Sequence, residues 1–161
     1  MAASIAGEVA LQDQQIAIVV SRFNRKVTEQ LLAGAEAAYL GHGGHPDKLT
    51  KVWVPGSFEL PATARRLGAS GHYAGLLTLG AIIKGDTLHF EVLAHQVTRA
   101  LLQVSIDVPV PLSFGVLTTL SVEQALERAD PQTGNKGGEA MESLIELISL
   151  NAKLAWPAGS S

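Results

Sequence analysis

The 161-residue chain contains no cysteine. Disulfides, thiolate metal ligands and cysteine nucleophiles are therefore excluded, and the composition suits a reducing compartment. Positive charge is not in excess. Twelve Lys and Arg face fifteen Asp and Glu, for a net charge of −3, and no segment carries a basic stripe. Nothing here neutralises a phosphate backbone, so nucleic acid is not an expected partner. No apolar run is long enough to cross a bilayer. The first fourteen residues lack the basic start and apolar stretch of a secretory signal. The expectation is a soluble, cytoplasmic protein without membrane contact. No G-x-G-x-x-G follows a predicted strand and no Lys-Ser/Thr pair follows Gly85, which argues against a dinucleotide cofactor and a Walker A loop. His42 and His45 have H-x-x-H spacing but lie in a glycine-rich turn without a third ligand, so no metal is expected. Aromatics make up only 5% of the chain, so each one outside an apolar run stands out.

Apolar residues are abundant, at 47%, and the mean hydropathy of +0.21 is high for a short chain. Either the core is unusually well filled, or part of the surface is buried against other subunits. The apolar pattern alternates between two periods. Ile16 to Val20 is continuously apolar and β-branched, as a strand buried on both faces should be. Val27, Leu31, Leu32, Ala35, Ala38 and Tyr39 then recur at helical spacing, up to the breakers Gly41, Gly43, Gly44 and Pro46. Val52 to Val54 predict a short strand, and Leu60, Ala64 and Leu67 a helix. Leu76 to Ile83 form a second continuous strand. Phe90, Leu93, Val97, Ala100, Leu101 and Val104 form a long helical stripe. Val110 to Leu117 give a fourth strand, with Pro111 marking its edge or start. Ser121 and Gln124 have capping-box spacing. Met141, Leu144, Ile145 and Ile148 predict a last helix, entered after Gly137 and Gly138. Solidly apolar strands alternating with helices predict a three-layer αβα sandwich around a four-stranded parallel sheet. The predicted organisation is an N-terminal arm over 1–15, one domain over 16–156 and a tail over 157–161. The arm is small and polar and reads, by itself, as a frayed terminus.

In such sheets ligands bind beyond the carboxyl ends of the strands. The segments there are Ser21 to Asn24, Pro55 to Glu59, Lys84 to His89, and Phe114 onward. Gly85-Asp86-Thr87 enters a helix, where free N–H groups favour an anion; the same turn could equally be a capped helix start with Asp86 or Thr87 as cap. His89 follows it, and an unperturbed imidazole can move protons near neutrality, although a lone histidine is often structural. Phe23, between Arg22 and Asn24, is placed to stack on a flat ligand. Phe58 is similarly flanked. Glu59 could accept hydrogen bonds from ligand hydroxyls, or simply complement a helix dipole. Arg128 and Lys136 bracket a polar loop and could bind phosphate or merely solvate that loop.

Five segments, IVVSRFN, VPGSFELP, GAIIKGDTLHF, SFGVLTT and GNKGGEA, occur in order from about Ile16 to Leu154. Together they closely resemble the lumazine synthase family. The resemblance implies a flavodoxin-like fold. It also implies condensation of 5-amino-6-(D-ribitylamino)uracil with 3,4-dihydroxy-2-butanone 4-phosphate, without cofactor. Phe23 would stack on the pyrimidine. Asn24, Ser57, Phe58 and Glu59 would line the pyrimidine and ribityl site, with main-chain contacts from Ala81, Ile82 and Ile83. Gly85, Asp86 and Thr87 would hold the phosphate, and His89 would transfer protons. Phe114 and Arg128 would come from a neighbouring subunit, Phe114 closing over the ring and Arg128, with Lys136, binding phosphate. The resemblance further implies homo-oligomers built of pentamers, with closure into an icosahedral shell expected and a bare pentamer or a stacked decamer as alternatives, and riboflavin synthase as a further partner. Two segments depart from the family's common pattern: Phe90-Glu91-Val92-Leu93, which bears on how His89 is oriented, and Asp130-Pro131-Gln132-Thr133, which bears on assembly and on Lys136. Two other readings compete. A flavin-binding module would share the αβα order, but SRFN is not a Ser/Thr-rich phosphate cradle. An inactive shell-forming relative would not need Phe23, Glu59, His89 and Arg128.

Overall fold

A computed structural model describes residues 1–155; Trp156 and the tail expected over 157–161 lie outside the described residues. The strands are β1 (Ile16–Ser21), β2 (Leu49–Val54), β3 (Gly75–Ile83) and β4 (Leu112–Thr119). The helices are α1 (Arg25–Gly41), α2 (Leu60–Gly68), α3 (His89–Asp107), α4 (Val122–Ala129) and α5 (Lys136–Leu154). All neighbouring strands run parallel, in the order β2-β1-β3-β4. The expected three-layer αβα sandwich is therefore observed.

Alternate residues of the central strands feed two cores, because side chains in a strand point to opposite faces. Ile16, Ile18, Val20, Leu77 and Leu79 pack with Leu31 of α1, Ala125 of α4, and Met141 and Ile145 of α5. Ala17, Val19, Leu76 and Ile82 pack with Ala64 of α2 and Val97, Leu101 and Val104 of α3. This two-sided burial is why β1 and β3 read as unbroken apolar runs. Pro111 stands just before β4, an edge strand, and its carbonyl accepts the Leu76 N–H at 2.9 Å. Ser121 caps α4 by accepting from Gln124 N–H at 3.1 Å, while the Gln124 side chain accepts the Leu120 N–H at 3.0 Å. The capping-box expectation holds, with the return bond one residue earlier than usual.

Three expectations are corrected. The arm is not frayed. Leu11 N–H donates to the His42 carbonyl at 2.9 Å, Glu8 N–H to Ser149 Oγ at 3.0 Å, and Lys153 Nζ to the Ala6 carbonyl at 2.8 Å. Leu11 also packs on the core beneath α1 and α5. Second, β4 starts at Leu112, so Phe114 lies near its beginning rather than beyond its end. Third, α5 begins at Lys136, and Gly137 and Gly138 lie inside its first turn. Both are buried, and a Cβ on Gly137 would collide with the main-chain carbonyl of Leu31. These glycines let α5 close on α1, an advantage that outweighs their poor helix propensity.

Gly137→Ala is accordingly expected to destabilise the fold by about 1–2 kcal/mol, as overpacking of a tight contact does. Urea unfolding would check this. A variant as stable as the parent would show that the helices separate freely.

Candidate active site

The chain leaves β1 toward β2 on one side and reaches β3 on the other, so the sheet has a switch point between β1 and β3. A crevice is expected there, where successive loops part in opposite directions. The structure has a cleft of about 500 Å³ at this place. It is lined by three segments: Phe23 and Asn24 after β1; Pro55 to Glu59 after β2; and Ala81 to Ile83, then His89, Phe90 and Leu93, from the end of β3 into α3, with Val122 at its edge.

The loop after β1 is sewn to the end of β2. Arg22 N–H donates to the Val54 carbonyl at 2.8 Å and Phe23 N–H to the Pro55 carbonyl at 3.1 Å. Asn24 has φ of 61°, a left-handed conformation that asparagine tolerates better than most residues. Its side-chain Nδ2 donates to the Ala81 carbonyl at 2.7 Å. Asn24 thus ties the first loop to β3, and its amide N–H₂ is already engaged within the chain. Phe23 projects from this loop with 69% of its surface exposed, and Phe58 from the next with 75%. Two largely exposed rings at one cleft are unusual in a chain so poor in aromatics, and they give the cleft apolar walls.

The end of β3 supplies main-chain groups. β1 stops at Ser21, opposite Gly80 by register, and β3 runs three residues further. Alternating residues of a parallel strand bond to opposite neighbours. Lys84 N–H donates to Thr119 on the β4 side at 2.9 Å, so Ile83 turns its N–H and C=O toward the side where β1 has ended. These groups open into the cleft. Gly80 keeps the floor low, since a Cβ there would press on Ser57 Oγ at 2.8 Å. Ser57 is buried, and Glu59 is half-buried in the short 3₁₀ turn before α2. Among the described residues the Glu59 carboxylate takes part in no ion pair or side-chain hydrogen bond, which leaves its acceptor capacity for a ligand.

The turn from Lys84 to Leu88 is exposed. Neither Asp86 nor Thr87 is the cap residue of α3; that position is Leu88, without a side-chain cap. Thr87 Oγ1 accepts only a long bond from His89 N–H, at 3.3 Å. Among the described residues, the N–H groups of Gly85, Asp86 and Thr87 have no acceptor in the chain. Free donors just before a helix N-terminus form a cradle suited to an anion. His89, the first residue of α3, follows this turn and lines the cleft.

Six expected site residues do not line the cleft: Gly85, Asp86 and Thr87 form the turn before α3, and three more lie elsewhere. Phe114, Lys136 and Glu139 share a second, smaller hollow beside β4 and α5. Lys136 Nζ pairs with Glu139 at 2.9 Å. Arg128 ends α4, exposed, with only a 3.4 Å bond from Nη1 to the Gln124 carbonyl. None of the three lines the cleft. Conversely, Pro55, Gly56, Phe90, Leu93 and Val122 line it without having been given a site role from sequence. Val122 follows the true end of β4, so correct placement of that strand end would have found it. Of the two histidines in the glycine-rich turn, His42 pairs with Glu142 at 3.4 Å and His45 Nδ1 accepts the Asp47 N–H at 3.2 Å. No helix of the described residues is long and apolar enough to cross a membrane.

Comparison with known proteins agrees with the geometry. The family model described as 6,7-dimethyl-8-ribityllumazine synthase matches residues 13–152. A protein of that name from Helicobacter pylori is 47% identical over 147 residues, which cover 91% of this chain and 94% of the relative. Its counterpart from Helicobacter hepaticus is 46% identical over 142 residues, 88% of this chain and 91% of the relative. One from Chlorobium luteolum is 44% identical over 146 residues, again 91% and 94%. On a match that spans nearly the whole chain and includes every segment lining the cleft, this chain belongs to the 6,7-dimethyl-8-ribityllumazine synthase family.

Proposed function

We propose that the cleft is one half of a shared active site that condenses 5-amino-6-(D-ribitylamino)uracil with 3,4-dihydroxy-2-butanone 4-phosphate. The enzyme is a transferase of riboflavin biosynthesis. The observation that carries the assignment of roles is the convergence, in one crevice, of two exposed aromatic rings, an unspent carboxylate, open strand-end amides and a histidine, with a turn of free N–H groups just before that histidine in the chain. Phe23 stacks on the pyrimidine. Main-chain groups of Ala81 and Ile83, on the side where β1 has ended, read its edge, while those of Ile82 face β4, and Glu59, with Ser57 and Phe58, holds the ribityl chain. Gly85, Asp86 and Thr87 receive the phosphate.

The substrates bring their own nucleophile. The 5-amino nitrogen attacks the ketone carbon, and loss of water gives an imine. A proton leaves the adjacent carbon as the C–O bond to phosphate breaks, and the resulting enol tautomerises to a new ketone. The ribitylamino nitrogen attacks that carbonyl, and loss of a second water closes the ring. One phosphate and two waters are released per lumazine. The protein's part is to orient two flexible molecules, to stabilise the departing phosphate and to move protons at His89. Incubation with both substrates is expected to raise the lumazine absorbance in step with phosphate release. Phosphate-free mixtures or a silent absorbance would overturn the reading.

Completion of the site by a second subunit is part of the same proposal. Phe114, Arg128 and Lys136 lie outside the cleft of their own chain, as contributions to a neighbour's site would. Leu88, Val92, Leu102 and Ile106 along α3 and Phe114 on β4 are exposed apolar residues, a surface suited to burial between subunits. We assign the assembly as rings of five that close into a hollow shell in the cytoplasm, with riboflavin synthase, which consumes the product, as a further partner. The loop over 130–135 is compact, as a fixed contact between rings requires. Asp130 caps Gln132 N–H at 2.8 Å, and Thr133 and Gly134 both bond back to the Glu127 carbonyl. Sedimentation would separate a sixty-subunit shell from a bare pentamer.

Phe23→Ala is expected to weaken the pyrimidine substrate by roughly 1–3 kcal/mol, the scale of base–aromatic stacking. The KM for the butanone phosphate should stay near its parent value. Titration calorimetry with a ribityl-pyrimidine analogue would measure this. Equal losses for both substrates would make Phe23 a structural residue.

A further inference from the structure

The ring of Phe23 is largely exposed, so little side-chain packing fixes its direction. Its orientation is inherited from the backbone of residues 22–25. Polar anchors of that backbone include Arg22 N–H on Val54, Phe23 N–H on Pro55, the Asn24 amide on Ala81, and the Asn24 carbonyl accepting from Val27 and Thr28. Another is different in kind. The guanidinium of Arg25, first residue of α1, lies over the indole of Trp53, 5.0 Å from the ring centroid. Arg25 Nε also donates to Glu29 Oε1 at 2.6 Å, one helical turn on. That bond restrains the guanidinium, whose planar face is suited to stacking on an aromatic ring.

Trp53 is well placed for this task. It pairs with Val20 of β1 and is followed directly by Val54 and Pro55, whose carbonyls hold Arg22 and Phe23. It is partly buried against the core beneath α1. Its indole is therefore carried by the sheet, while Arg25 stands where the loop enters α1. It does not line the cleft.

We propose that the Trp53–Arg25 stack is a positioning device for pyrimidine binding: it fixes the turn from which Phe23 projects. The proposal rests on Phe23 as the pyrimidine-stacking ring. Loss of the stack lets the turn sample orientations in which the ring no longer lies flat against its ligand, so affinity falls without any lost contact to the ligand.

The probe is an analogue of the ribitylaminouracil whose 5-amino group is replaced by nitro, so that it binds and cannot attack. Trp53→Leu keeps apolar bulk and removes the aromatic face, whereas Trp53→Phe keeps a face. Arg25→Gln removes the cation at an exposed position and leaves the core untouched. Trp53→Leu and Arg25→Gln should each bind the probe roughly two- to fivefold more weakly, the worth of one exposed cation–π contact. The double variant should be no worse than either single one, and Trp53→Phe should recover most of the affinity. The KM for the butanone phosphate should be unchanged in all of them. Additive losses in the double variant, or parent-like affinity in Arg25→Gln, would overturn the proposal. So would an equal rise in both KM values, which indicates general loosening of the fold. Phe23→Ala is measured alongside. If it too leaves probe affinity intact, the assignment of Phe23 has failed; if it weakens the probe while Arg25→Gln does not, only the stack has failed.

Discussion

Replacing His89 by alanine is expected to lower turnover by roughly 10²–10⁴, the usual range for loss of a general acid–base group. Among the described residues, His89 and Glu59 are the titratable side chains that line the cleft, and His89 follows the turn of free N–H groups in the chain. Several proton movements are needed in the condensation: to the oxygen lost as water, from the carbon next to the imine, and between the tautomers. A group lining the cleft can serve more than one of them. The loss should fall toward the lower end, because the amine is already nucleophilic and the two substrates, once aligned, can condense without help. His89→Gln separates two roles. Glutamine can hydrogen-bond but cannot accept a proton near neutrality, so it should be as slow as alanine. Single-turnover absorbance measurements with saturating substrates would compare the variants. Turnover recovered by glutamine would make His89 an orienting donor, and unchanged turnover in both would remove it from the mechanism.

How much of this could be read without coordinates depended on what each residue packs against. β1 and β3 were legible because both faces are buried, and Leu76 to Ile83 needs no partner to be recognised. β2 is an edge strand with exposed Thr50 and Lys51, so its first half, from Leu49, blended into the loop and only Val52 to Val54 stood out. The arm was illegible for a stronger reason. Its anchors on Ser149 and Lys153 lie more than 140 positions away, and no local pattern encodes them. Gly137 and Gly138 misled because glycine usually marks a boundary. Here the missing side chains make room for the Leu31 carbonyl, a fact of the facing helix. In the cleft, Phe23, Glu59 and His89 were found because ligand sites of parallel sheets follow strand ends, and Ser57 through the family resemblance. Asn24 was found but not its bond to Ala81, which depends on how β3 outruns β1. The stack of Arg25 on Trp53 gave no signal either, since neither residue belongs to a periodic pattern that would bring them together.

Mixing His89→Ala with Arg128→Ala subunits should restore activity that neither has alone. Arg128 ends α4 outside the cleft, exposed and without a carboxylate partner among the described residues. If it reaches the phosphate of a neighbour's substrate, Arg128→Ala removes a charge-assisted contact worth about 1.5–3 kcal/mol. That corresponds to a KM for the butanone phosphate raised on the order of tenfold or more, with binding of the nitro analogue little changed. In the proposed ring each site would take His89 from one subunit and Arg128 from the next, an arrangement that head-to-tail contacts closing a ring permit. A site is intact when its His89 donor carries the Arg128 change and its Arg128 donor carries the His89 change. With random mixing at equal amounts, about one site in four meets that condition. Co-expression with two different affinity tags isolates mixed rings, and the assay is run at butanone phosphate below the parent KM, where both parents are slow. Activity near a quarter of the parent level is the expected result. Mixed rings confirmed by mass, yet no faster than the average of the two variants, would place each His89 and its Arg128 in the same subunit. A monomer that is fully active in sedimentation-resolved assays would contradict the shared site altogether.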